Sequence, residues 1–351
     1  MIPPAHVAPV ALPRRHYVCY RAPGPAAIDG RLDSRFWSGA PWTEAFVDIR
    51  GDAGGVPRHQ TRAKLLWDDA CLYIGAELEE PHVWATLTEH DSIVYRDNDF
   101  ELFLSPTGDN HAYYELEINA LGTVFDLFLP RPYRDGGAAD HDFNFLGLRK
   151  AVRIEGTLND PRDTDAGWAI ELAIPWSAFD RHTRTPAPGP PREADVWRLN
   201  FSRVQWDLDV VSGGYRKIPD RAEHNWVWSP QGVIDMHRPE RWGYLQFSSL
   251  VAGSGVTMPR PDPSEAARDA LHEIYYAQKA FRHARGGAAA WAARIDELAD
   301  FLVLTGRGPL LPAPATLVRT EQGWFARQRI LTPRGEQEWE IREDSLIRRV
   351  R

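Results

Sequence analysis

YRDNDFELFLSP, residues 95–106, followed by YYELEINALGTVFD, residues 113–126, alternates polar and apolar residues with period two. That period marks half-buried β-strands rather than helices. In the second segment Tyr114, Leu116 and Ile118 share one face, and Glu115, Glu117 and Asn119 share the other. In the first, Phe100, Leu102 and Leu104 point one way, and Glu101 and Phe103 the opposite way. If the two strands pair, Glu101, Glu115, Glu117 and Asn119 gather on one sheet surface. Carboxylates crowded on a sheet repel each other and are costly to bury. Such a surface suits sugar hydroxyls, a cation or water.

Outward from this pair the same grammar repeats. TRAKLLWDDACLYIGAELEEP, 61–81, reads as a hairpin turning at Asp68, Asp69 and Ala70. AVRIEGTLN, 151–159, and GWAIELAIPWSAF, 167–179, read as another, with Pro175 ending the strand and opening a short helical turn. VWRLNFSRVQW, 196–206, NWVWSPQG, 225–232, and RWGYLQFSS, 241–249, are further strands. TRTPAPGPPREAD, 183–195, has loop composition, and GDAGG, 51–55, is a flexible loop. About ten short strands with turn signals between them predict an antiparallel β-sandwich.

Composition changes after residue 263. SEAARDALHEIYYAQKAFRHARGGAAAWAARIDELADFLVL, 264–304, is Ala-rich with helical spacing. Ser264 is placed to cap a first helix, and Gly286 and Gly287 separate it from a second over about 288–303. Residues 314–350 alternate again as a small hairpin or added strands. The expected organisation is therefore a Pro-rich extended arm at 1–25, a β-sandwich over 26–250, and a helical hairpin with short strands over 251–351.

The chain has 351 residues, 43% hydrophobic and 26% charged, which is ordinary globular composition for one large domain or two smaller ones. A net charge of −8 offers no basic stripe for phosphates, so nucleic acid is not an expected partner. No apolar run reaches the roughly 20 residues needed to span a bilayer. MIPPAHVAPVALPRRHYVCYRAPG, 1–24, lacks the basic start and unbroken apolar run of a signal peptide. The expected location is cytoplasmic as the sequence stands, or secreted if the N-terminus has been trimmed. Cys19 and Cys71 either pair or remain separate buried thiols. Fourteen Trp raise the weight of sugar or flat-ligand binding, because such ligands stack on rings.

Several pieces, in order, resemble the family 9 carbohydrate-binding modules. They are IDGRLDSRFW (28–37), AKLLWDDACLYIGAELEEP (63–81), DNDFELFLSP (97–106), GWAIELAIPWSAF (167–179) and the closing WGYL (242–245). The resemblance covers roughly 20–250. The extension beyond it resembles the tail of longer bacterial relatives. It implies a β-sandwich that grips the end of an oligosaccharide or polysaccharide between two aromatic rings, with polar side chains on its hydroxyls. It also implies structural calcium, for which Asp97, Asp99 and Asp109 are candidate oxygen ligands. No other cofactor is expected. By position, Glu101 and Asn119 fall on sugar-binding strand positions, and Tyr95 falls where one stacking Trp is expected. The second ring has no clear counterpart, and GVIDMHRPERWG (232–243) offers Met236 and His237 in its place. A basic residue expected two positions before the amide is Glu117.

The candidate ligand-binding residues are therefore Tyr95, Glu101, Glu117, Asn119, Trp226, Trp228 and His237. For Trp226 and Trp228, which share a strand face, the competing reading is core packing. An alternative activity is glycoside hydrolysis with Glu101, Glu115 and Glu117 as the acid pair and its neighbour. Arg203, mid-strand, is expected to pair with a glutamate of that cluster, and Arg198 is a further candidate partner. His111, His141, His224 and His237 lack zinc-ligand spacing, and no GxSxG elbow is present. Met236 and His237 are adjacent and cannot flank a haem iron from opposite sides.

Overall fold

The computed structural model describes residues 8–179, 189–287, 291–302 and 315–351. In chain order its strands begin with β1 (His16–Arg21), β2 (Val47–Asp48), β3 (Thr61–Trp67) and β4 (Cys71–Glu79). The acidic segment supplies β5 (Asp99–Ser105), β6 (Tyr113–Asn119) and β7 (Val124–Leu129). Then follow β8 (Arg149–Glu155), β9 (Gly167–Pro175), β10 (Val196–Gln205), β11 (Leu208–Val211), β12 (Gly214–Lys217), β13 (His224–Val227) and β14 (Gly243–Val251).

The sheet runs β7-β6-β5-β10-β14-β1-β3-β4-β9-β8, with β13 branching from β10 and β2 added to β13. It curls so that its two ends face each other. Phe100, Leu102, Leu116, Ile118 and Phe201 from one half meet Ile74, Ile170, Leu172 and Ile174 from the other in a single core. These are the apolar positions of the period-two pattern, so alternation alone aims them inward. The expected hairpins form: Thr61 pairs with Leu78, and Glu155 with Gly167. Pro175 gives way to a 3₁₀ turn over Trp176–Phe179.

Four expectations change. HYVCYR, 16–21, lies within the region read as an arm, yet it is a buried strand in mid-sheet. It runs parallel to both neighbours, with His16 opposite Tyr244 and Tyr20 opposite Leu66, so the sheet is not wholly antiparallel. The second half of the helical hairpin is short. One long helix, α1 (Glu265–Ala284), is followed by a 3₁₀ turn and the four-residue α2 (Ala299–Leu302). Residues 288–290 and 303 of the expected second helix, and 183–188 of the expected loop, lie outside the described residues. Ser264 occupies the cap position, but its hydroxyl donates to Asp262 and makes no bond to the helix. Cys19 and Cys71 are separate buried thiols.

The C-terminal strands β15 (Thr316–Arg319), β16 (Trp324–Thr332), β17 (Gly335–Arg342) and β18 (Ile347–Arg349) form a second sheet. Leu271, Ile274 and Phe281 of α1 share a core with Trp324, Ala326 and Ile341. The polar side of α1 docks on the sandwich. Arg14 pairs with Glu265 and Asp269, Lys279 with Asp135, and Tyr276 donates to Glu240.

Candidate functional site

β5 and β6 pair with Glu101 opposite Glu117, Phe103 opposite Glu115, and Asp99 opposite Asn119. The four acids therefore share the sheet face away from the core. On this face they meet Phe125 and Leu127 of β7 and Ser202 of β10, the residue opposite Glu101. Loops wall the surface into a cavity of about 380 Å³. Its floor is Glu101, Phe103, Glu115, Glu117, Phe125 and Leu127, and its rim includes Tyr95, Tyr133, Ile234, Met236 and His237. Tyr95 is 42% exposed and Tyr133 40%, so both present open ring surface. A cleft of equal volume on another face mixes acids with Arg62 and Arg153, and its Glu77 is paired to Arg62 at 2.9 Å.

The floor is electrostatically unusual. Asp99, Glu101 and Glu117 each offer an oxygen, and the three oxygens lie within 4.8 Å of one another. Burial pushes the Glu101 carboxyl up to about 7. Burial, and then the neighbouring carboxylates, hold Asp99, Glu115 and Glu117 well above the usual carboxylate range. None of the four forms an ion pair among the described residues. Glu117 accepts the Tyr95 backbone N–H at 2.8 Å, and Asp99 accepts that of Val204 at 3.0 Å. Asp99 Oδ2, Glu115 Oε2 and Ser202 Oγ are buried without a hydrogen-bond partner. Such a floor must hold protons or a cation.

The rim is held from behind. His237 Nδ1 lies 3.1 Å from the Tyr113 hydroxyl, and its ring meets Tyr133 edge-on at 4.5 Å between centroids. Burial pulls the imidazole down to about 4, so it is neutral at pH 7. Arg134, next to Tyr133, donates to the His237 carbonyl and to Glu240. Tyr275 of α1 donates to Asp135, and Arg238 donates to Tyr276. Both rim loops thus hang on the same helix.

The expected site residues divide. Tyr95, Glu101, Glu117 and His237 line the cavity together with Glu115. Asn119 does not. It donates to the Leu87 carbonyl and to Asp97, and accepts the N–H groups of Leu121 and Thr123, which spends its amide on the β6–β7 turn. Trp226 and Trp228 are core, 3% and 0% exposed, with the Trp228 indole donating to Glu44. Arg203 ion-pairs with Glu80 at 2.8 Å and donates to Thr61 on the core side, not to the acid cluster. Arg198 donates to the carbonyl of Glu240. Tyr133, Phe125, Leu127, Glu223 and Asp235 are lining residues that the sequence reading passed over. Tyr133 sits in PRPYRDGG, 130–137, where no periodicity betrays a ring. Phe125 and Leu127 were legible in principle, since they alternate in register with Glu117 and Glu115.

The calcium trio does not assemble. Asp97 is consumed by Thr86, Leu87 and Asn119, and Asp109 accepts from Thr107 and His111 in the β5–β6 turn. Only Asp99 joins other carboxylates, so Asp97, Asp99 and Asp109 do not fit a shared calcium. The other candidate metal group among the described residues is His90, Asp91 and Asp126, at a different surface.

A curled β-sandwich with an acid-floored, ring-edged cavity is a ligand-binding architecture. The model of the carbohydrate family 9 binding domain-like family matches residues 28–226, more than half of the chain, and the protein belongs to that family. Carbohydrate binding is its function class. Two curated relatives are an exoglucanase, XynX, of Acetivibrio thermocellus, 24% identical over 156 residues, and an endo-1,4-beta-xylanase C of Paenibacillus barcinonensis, 24% identical over 184. The matched regions cover 44% and 50% of this chain but only 12% and 14% of those enzymes. A family 9 carbohydrate-binding module from Caldicellulosiruptor kristjanssonii, solved with cellotriose, is 14% identical. The alignment covers 70% of this chain and all of that one, with a TM-score of 0.43.

Proposed function

We propose that the cavity over β5, β6 and β7 is the saccharide site, and that the protein binds rather than cleaves its ligand there. The observation that carries this reading is the pairing of buried carboxylates with open rings in one cavity. Carboxylates accept hydrogen bonds from vicinal hydroxyls, and rings pack on the apolar faces of sugars. Tyr95 and Tyr133 stand on the rim as the stacking surfaces, Glu101 and Glu117 beneath as acceptors.

The placement of the acids supports binding over hydrolysis. Glu101, Glu115 and Glu117 lie side by side on one sheet face, whereas glycoside hydrolysis needs two carboxyl groups flanking the scissile bond.

Calorimetry with a panel of oligosaccharides, run beside a reducing-end assay, tests the proposal. The expected result is binding heat without new reducing ends, with affinity lost in Tyr133→Ala. Product release that disappears in Glu101→Gln would replace it with the hydrolase reading.

A further inference from the structure

The cavity lining contains Glu101, Glu115, Glu117, Glu223 and Asp235 and no Lys or Arg. Asp235 is committed to Arg238 at 2.7 Å, which leaves the glutamates. Cations exist nearby but are held elsewhere. Lys217 Nζ sits 3.6 Å from the centroid of the Trp206 ring, and Arg134 is bound to Glu240. An acidic cluster alone is only a cost. Here a further polar group, outside the acids, is aimed into it. Ser202 is fully buried and beside Glu101 on the same face, and its hydroxyl lacks a hydrogen-bond partner of good geometry. Glu115 Oε2 is also unpartnered on the cavity floor. The floor lacks positive charge, and beside the Ser202 hydroxyl its polar side chains are acids.

Resting on the saccharide reading of this cavity, we propose that the ligand is an amino sugar, bound with its ammonium group on the Glu101–Glu115–Glu117 floor. An ammonium supplies three N–H donors and no acceptor, which matches a floor of acceptors. Bonds between an ammonium and carboxylates are about twice as strong as neutral ones. The ring of the sugar then lies toward Tyr95 and Tyr133, where cation and ring faces also attract. A divalent metal would satisfy the same charge, but calcium calls for 6–8 oxygens. Here Glu101 and Glu117 bring carboxylate oxygens within 4.8 Å of each other, with Glu115 beside them, inside a cavity large enough for a sugar residue.

Three oligosaccharides of equal length separate the outcomes: cello-oligosaccharide, N-acetylated chito-oligosaccharide and its fully deacetylated form. They differ at carbon 2, which carries a hydroxyl, an acetamide or an ammonium. Calorimetry at pH 6.5 with the full chain should give the deacetylated form at least about tenfold tighter binding, the value of one charge-assisted hydrogen bond. Glu117→Gln should cut that preference by about tenfold, and the wild-type comparison stands even if the variant misfolds. Equal binding of all three would overturn the proposal and leave the saccharide reading standing. No binding of any would sink both. Binding of the neutral sugars only after calcium is added would overturn the amine in favour of a metal. Ethanolamine binding as tightly as the amino sugar would also overturn it.

Discussion

Glu117 carries an unrelieved conflict. It is buried, it faces Glu101, and among the described residues no cation pairs with it. Its folded-state pKa is raised, so its contribution to stability is full below its unfolded value near 4.5 and is lost as pH climbs through the folded value. Glu101, raised to about 7, behaves the same way over roughly pH 4.5–7. Thermal melts should therefore show Glu117→Gln raising Tm relative to wild type at pH 8 and changing it little at pH 4.5. A constant difference across that range would mean the carboxyl carries no such strain. Asn119 gives the opposite expectation. Its amide closes the β6–β7 turn, and Asn119→Ala strands the Leu121 and Thr123 N–H groups at a cost of about 2–3 kcal/mol. Chemical denaturation should show that loss, while the folded fraction keeps its sugar affinity.

The elements explain what could be read in advance and what could not. Period two fixed which residues of β5 and β6 face the core, and from that came the acid cluster. A one-residue slip would have put Leu102 and Leu116 in water, so the register had no near competitor. Residue type was a poorer guide than position. Asn119 and Trp228 look like ligand residues, but Asn119 ends β6 and closes its turn, and Trp228 faces the core against Phe201. Tyr133 and Trp228 make this testable. Trp228→Ala should cost about 3–5 kcal/mol of stability by opening the core. Tyr133→Ala should change stability by no more than about 1 kcal/mol and lower affinity by about tenfold, as loss of a rim ring does. Denaturant midpoints and calorimetry on the two variants would expose a reversed pattern.

At the scale of the molecule, the C-terminal unit belongs to the site. Glu240 accepts Arg134, on the Tyr133 loop, and Tyr276 of α1. The neighbouring cations hold its carboxyl well below the usual range despite burial. Removing residues 259–351 takes away Tyr275, Tyr276 and Lys279 and leaves Asp135 and Arg238 short of partners. Breaking one such buried pair costs about 3–5 kcal/mol. The truncated chain should melt well below the full one and bind sugar weakly, as read by circular dichroism and calorimetry together. A stable, fully binding truncation would show that the helix merely rides on the sandwich. Whether the tail packs on the sandwich was not legible, because the docking residues are scattered polar positions without period.

The parallel placement of β1 beside β14 reaches back to the ribosome. His16 must wait for Tyr244 before its side of the sheet can close. At about 5–20 residues per second, synthesis holds β1 without that partner for roughly ten seconds to a minute. Even once β3 has emerged to cover one edge, HYVCYR keeps its β14 edge open through that interval, a segment in need of a chaperone or of a temporary partner. A circular permutant opened just after β1 would place β1 behind β18 and cut that wait by about half, and it should raise the yield of soluble protein.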